Sequence, residues 1–181
     1  QSAGTYTVGV TAQTVDGVDI STPAVADSFT ATVTPRATAG DDNLGFLGQL
    51  VDGLAGDDTI QLRAGDNLNF ATDADKFKNI EAIDLSAGDL TLSGLSLQDV
   101  IDMTDADNVL RILGDANDTV SVLTAGDWTQ TTMPPVEAGD PVVAKEIIVG
   151  GHTFNEYTGS VGGTDVTLLL EKAVQQNIVI H

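Results

Sequence analysis

The tetrapeptide Ala-Gly-Asp-Asp occurs twice, at 39–42 and 55–58, and an apolar residue follows each copy two places on: Leu44 after the first, and Ile60 in the alternating run Thr59-Ile60-Gln61-Leu62 after the second. Gly-Asp is a turn former. Glycine takes backbone angles closed to other residues, and aspartate bonds to backbone groups one or two residues on. The alternating run behind it is a strand signal. A chain that repeats turn and strand this closely is bound towards short β segments joined by tight corners.

The rest of the chain agrees. Residues 5–14 and 27–35 alternate apolar and polar side chains around an Asp-Gly turn within 15–19, and Pro35 stops the second run. Stretches 79–87, 89–95, 108–114 and 118–123 read as strands, as do three runs after 143 separated by Gly-Gly and Gly-Ser turns. One helix is expected at 96–103, where Ser96 caps and Leu97, Val100 and Ile101 recur at helical spacing. Three prolines make 131–141 a loop. The expected fold is mainly β, with sandwich-like strands, a short calcium-binding β segment and about one short helix. Two regions are expected: 1–35, immunoglobulin-like or cadherin-like strands that either stand alone or complete the same domain, and 36–181, a calcium-binding β domain.

Charge supplies the chemistry. The formal net charge is −20, from 27 acidic and 7 basic residues. Such a chain repels nucleic acid and anionic membranes. The acids comprise 22 Asp and 5 Glu, and 17 of the Asp lie between Asp41 and Asp127. Aspartate favours turns and compact cation sites, whereas a solvated helix face prefers glutamate. A hydrophobic share of 41% argues against disorder. Cysteine is absent, so an extracellular chain needs another staple, and a bound metal is the natural one. No apolar run spans a membrane and no secretory leader is visible; the chain reads as a piece of a longer protein.

The second copy sits in a nonapeptide, Gly53-Leu54-Ala55-Gly56-Asp57-Asp58-Thr59-Ile60-Gln61, which follows G-G-x-G-x-D-x-U-x except that Leu54 replaces the second glycine. In that pattern glycine turns aim carbonyl groups at a cation, aspartate adds a carboxylate oxygen, and the large apolar residue packs inward. The first copy, Ala37 to Gly45, keeps the fourth glycine, the aspartate and the apolar position. Calcium takes six to eight oxygens, so one turn is a half-site and needs a second facing it. Asp42 and Asp58 are therefore the first candidate ligands. Gly40, Gly56, Asp41 and Asp57 come next, by backbone or side chain. Asp66, Asp115 and Asp118 lie in weaker echoes of the motif. A plain type I turn uses the same residues, and that reading stays open.

The segment "NIEAIDLSAGDLTLSGLSLQDVIDMTDADNVLRILGDANDTVSV", with "GDWT" and "FNEYTG" after it, resembles modules of giant repeats-in-toxin adhesins of Gram-negative bacteria. The resemblance covers roughly Ala37 to Val174, and the N-terminal strands resemble the immunoglobulin-like extender repeats of the same proteins. It implies type I secretion, attachment at the bacterial cell surface, a role in cell adhesion and biofilm, and folding on extracellular calcium. It also implies neighbouring domains of the same adhesin as partners. Two functions are compatible with it: a scaffold that positions adhesive domains, and a calcium-dependent module that binds a cell-surface peptide or glycan. Catalysis is not expected. Cysteine is lacking, no H-E-x-x-H or G-x-S-x-G occurs, and the two histidines are His152, beside a Gly-Gly turn, and the terminal His181. Trp128, the one tryptophan, is expected to be a core anchor rather than a sugar platform.

Overall fold

The computed structural model describes residues 5–9, 28–32, 37–122, 127–133 and 143–176. The chain forms two compact units, Gln1–Arg36 and Ala37–His181. In the first, strands Thr5–Gly9 and Ser28–Thr32 pair antiparallel, with Tyr6 opposite Ala31 and Val8 opposite Phe29. The Asp-Gly turn expected within 15–19 lies outside the described residues.

The second unit is mainly β, and its main strands are parallel. Asn43–Gly45, Thr59–Gln61, Ala82–Asp84, Val109–Leu113 and Thr164–Glu171 lie side by side in chain order. After each of these strands but the first, the chain visits a second parallel sheet, made of Leu68–Asn69, Thr91–Leu95, Thr119–Val122 and Gln175–Gln176. A short third pair joins Val51–Asp52 to Phe77–Lys78. The chain therefore winds in coils, each strand stacking on its counterpart one coil earlier.

Alternation selects what points inward. In the first sheet Leu44, Ile60, Ile83, Ile112 and Leu170 occupy one register position in successive strands, and all are buried. Leu68, Leu92 and Val120 form the matching ladder of the second sheet. Both ladders belong to one apolar cluster, so the two sheets share a core. Phe46, Phe70 and Phe77 fill the coil end where strands are shortest.

The coils lengthen along the chain. The first spans sixteen residues, from Asp42 to Asp58, and the second twenty-three, from Asp58 to Glu81. The second carries a helical turn, Phe70–Asp73, capped by the Asn69 side chain, which accepts from the Ala71 amide. The next carries the expected helix, Leu97–Met103. Ser96 and Asp99 form a reciprocal capping box, and Leu97, Val100 and Met103 are buried. An antiparallel hairpin then brings the chain back to the coil: His152–Val161 pairs with Thr164–Glu171, which stacks in parallel on Val109–Leu113. Glu146–Val149 and Thr129–Gln130 both pair with the first strand of that hairpin. The expected proline loop begins as a strand, Thr132–Met133, paired with Val143–Ala144, and 134–142 lie outside the described residues. Trp128 is buried, as a core anchor should be. Among the described residues no helix is long and apolar enough to cross a membrane.

Candidate functional site: the stacked acidic corner

The two Ala-Gly-Asp-Asp turns lie one coil apart, directly above one another. Asn43 pairs with Thr59, and the Thr59 amide donates to the Asp42 carbonyl at 2.8 Å. Gly56 makes the close stacking possible. A Cβ there would lie 2.6 Å from the Gly40 carbonyl carbon and 2.7 Å from the Asp41 nitrogen, and the Gly56 φ is +132°. Gly56→Ala is expected to destabilise the module by about 1–3 kcal/mol, through backbone strain and loss of contact between the turns. Chemical denaturation checks it; an unchanged midpoint would show that the turns do not stack. Gly40 faces open space.

The carboxylates of this corner serve backbone amides of neighbouring coils. The Asp42 amide donates to Asp58 Oδ1 at 2.9 Å, and the Asp57 amide donates to Asp41 Oδ1 at 2.9 Å. The Asp58 amide donates to Glu81 Oε2 at 2.8 Å, and the Asp105 amide to Glu81 Oε1 at 3.2 Å. The ladder ends at Asp42, whose Oδ2 accepts from the Thr38 amide at 2.6 Å and from the Thr38 hydroxyl at 2.8 Å. A β-coil must turn at every corner, and turning leaves amides without ladder partners. A carboxylate from the adjacent coil satisfies them with charge-assisted bonds.

Asp58 and Glu81 are buried to do this. Burial is the largest influence on each and raises both above the ordinary carboxylate range; nearby acids (Asp42, Asp41 and Asp57 around Asp58, and Asp105 and Asp58 around Glu81) push the same way. Asp58 Oδ2 has no hydrogen-bond partner and faces Gly53, where the Asn79 carbonyl also arrives. The folded state thus holds these protons more firmly than the unfolded chain does. Their stabilising contribution is full below the unfolded carboxylate pKa of about 4 and is lost as pH rises through the raised folded values. Asp58→Asn keeps an oxygen for the Asp42 amide and removes the charge. Its denaturation midpoint is expected to fall less than wild type between mild acid and neutrality; an equal or steeper fall would contradict the assignment.

The candidate ligands therefore separate into three sets. Asp58 is fully buried, one oxygen bonded and the other against Gly53, and does not line a cation-accessible space. Asp41, Asp42 and Asp57 line an open cleft of about 240 Å³ with Asn43, Thr59 and Arg111. Asp66, Asp115 and Asp118 belong to other corners. Asp66 accepts from the Arg63 amide at 3.2 Å, and Asp115 from the Asn117 amide at 2.8 Å. Buried Asp118 accepts from Leu90 at 2.9 Å and from Asp115 at 2.7 Å. Asp118 lies against Gly114 as Asp58 lies against Gly53.

Among the described residues no three acidic or histidine side chains converge to hold a metal ion as they stand. The donor set of the cleft is nonetheless of the right kind for a hard cation: three carboxylates with oxygens to spare, an amide and a hydroxyl. Asp41, Asp42 and Asp57 thus fit calcium in chemistry; Asp58 does not fit it in position.

Two residues outside the motif complete the corner. Glu81 occupies the register position of Asp42 and Asp58, one residue before a strand whose second residue is the buried Ile83. The shared spacing of acid, any residue, then Leu44, Ile60 or Ile83 is the signal that points to it. Arg111 pairs with Asp57 across 54 residues of sequence, and no local pattern announces that. His152 is exposed and lies 2.7 Å from Glu171 Oε1, while Glu171 Oε2 accepts from the Gly114 amide at 2.9 Å; histidine and corner acid are thus tied together.

No family model, curated protein or solved structure matches this chain.

Proposed function

We propose that this chain is a calcium-stabilised scaffold module of a large bacterial cell-surface adhesin, exported by type I secretion, without catalysis, that positions neighbouring adhesive domains. The observation that carries the reading is the stacking of the two motif turns. It places Asp41, Asp42 and Asp57 from consecutive coils on one open cleft, a donor set of hard oxygens. Calcium bound there would supply positive charge between two coils whose acids otherwise repel, and binding free energy would become folding free energy. The chain's own residues set the frame: Gly56 brings the turns together, and the amide-to-carboxylate bonds fix their register.

Calcium titration calorimetry tests this. Wild type is expected to bind calcium, the combined Asp41→Asn, Asp42→Asn and Asp57→Asn variant to lose that binding, and Asp165→Asn, in Thr164–Glu171 and outside the cleft lining, to keep it. Binding unchanged in the triple variant would place calcium elsewhere; no binding by wild type would remove it from the account.

One feature favours the second reading, a peptide- or glycan-binding module. A cleft of about 410 Å³ lies between the turns at Phe46–Gly48 and Arg63–Asn67, with Leu47 exposed on its wall. Saturable binding on a glycan or peptide array, abolished by Arg63→Ala, would support it.

A further inference from the structure

The first two coils pose a charge problem that their own sequence does not solve. Between Arg36 and Arg63 the chain has five aspartates and no lysine or arginine. Four of the five, Asp41, Asp42, Asp57 and Asp58, lie in the stacked corner. The counter-charge comes from two coils further on. Arg111 stands in register with Ala82, which stands in register with Thr59, so its side chain runs back across two interstrand spacings, about 9–10 Å, to reach the cleft. There its guanidinium pairs with Asp57 Oδ1. The Arg111 side chain is only 17% exposed, whereas Asp57 is 49% exposed. Among the described residues no other cation pairs with an acid of this corner: Lys76 pairs with Asp73, Lys145 with Glu156 and Lys172 with Glu146.

We infer that Arg111 is the resident counter-ion of the acidic corner: it neutralises Asp57 there without metal and competes with a divalent cation for that carboxylate. A guanidinium suits this role, because its planar fork of donors matches a carboxylate. It is tethered, so its presence does not depend on the medium. It also links the second coil to the fourth, where calcium would link only the first to the second. The competition rests on the proposed calcium reading; the counter-ion role does not.

Thermal unfolding of wild type and Arg111→Met, in chelator and in calcium, tests both. Methionine keeps much of the aliphatic stem and removes the charge. In chelator, R111M is expected to melt about 2–4 °C below wild type, and added salt is expected to narrow that gap by screening. In calcium, R111M is expected to gain more than wild type, with a tighter calcium affinity by calorimetry. Asp57→Asn serves as the reciprocal variant. If Arg111 acts through Asp57, the double variant melts near the single ones rather than at the sum of their losses. Equal melting of R111M and wild type in chelator would overturn the counter-ion role. A calcium gain in wild type matched by R111M would overturn the competition and leave the calcium reading standing. A loss in chelator with no calcium response in either protein would overturn the calcium reading and leave the counter-ion role standing. Unfolded R111M would hand the test to Asp57→Asn, which must then show the same salt-dependent loss.

Discussion

Glu81→Ala is expected to destabilise the module by about 3–5 kcal/mol, because it strands two backbone donors at once. Glu81 is 8% exposed, and its two oxygens accept from Asp58 and Asp105. The buried Asp58 amide left without a partner costs about 1–3 kcal/mol, the Asp105 amide, on an exposed residue, costs less, and the lost side-chain volume adds to both. Relief of the burial penalty on the Glu81 carboxyl offsets a part. Glu81→Gln is the informative companion. It keeps the shape but turns an NH₂ towards one of the two donors, so it should lose less than alanine and more than a surface substitution. Urea denaturation of both, with hydrogen exchange at the Asp58 and Asp105 amides, checks the account. Rapid exchange of those amides in wild type, or an alanine variant as stable as wild type, would contradict it.

Ile83→Ala is expected to cost a similar amount, about 3–5 kcal/mol, for a different reason. Ile83 is the middle rung of the aliphatic ladder, with Ile60 on one side and Ile112 on the other, and all three are 0% exposed. Removing a fully buried isoleucine loses its transfer free energy and leaves a cavity that a stack of parallel strands closes poorly. Ile148→Ala is the control, since Ile148 is 74% exposed and should change stability by no more than about 0.5 kcal/mol. Equal losses would mean that the stacked ladder does not carry the core.

The corners and their inward apolar positions were legible in the sequence; their winding into a parallel coil was not. The sixteen-residue offset between the Ala-Gly-Asp-Asp copies is the length of the first coil, and the apolar residue two places after each second aspartate is the inward rung. The helix at Leu97–Met103 was legible because its start is local chemistry, a serine cap and an apolar face. What escaped was whatever depended on coil length. Once the second coil takes in the helical turn at Phe70–Asp73, the period shifts to twenty-three, and a fixed-period search passes over Glu81. Short strings that differ at one residue also diverge. In Thr72–Lys76, Asp73 sits in a helical turn and pairs with Lys76 at 2.6 Å; in Thr104–Asn108, the Asp105 side chain closes its own turn on the Asp107 amide at 3.0 Å. The candidate site was legible as a place but not as a division of labour. Asp57 and Asp58 are adjacent in sequence, yet the turn before Thr59–Gln61 sends one to the open cleft and buries the other beneath Gly53. Arg111 is invisible because only the folded sheet brings it to Asp57.

The most direct test of the scaffold reading is the unfolding midpoint of the wild-type chain, measured by calorimetry in calcium and in excess chelator at the same ionic strength. A higher midpoint in calcium, rising with concentration as ligand binding to the native state requires and lost when Asp41, Asp42 and Asp57 are replaced together by asparagine, is the predicted result. Coincident midpoints in calcium and chelator would contradict it.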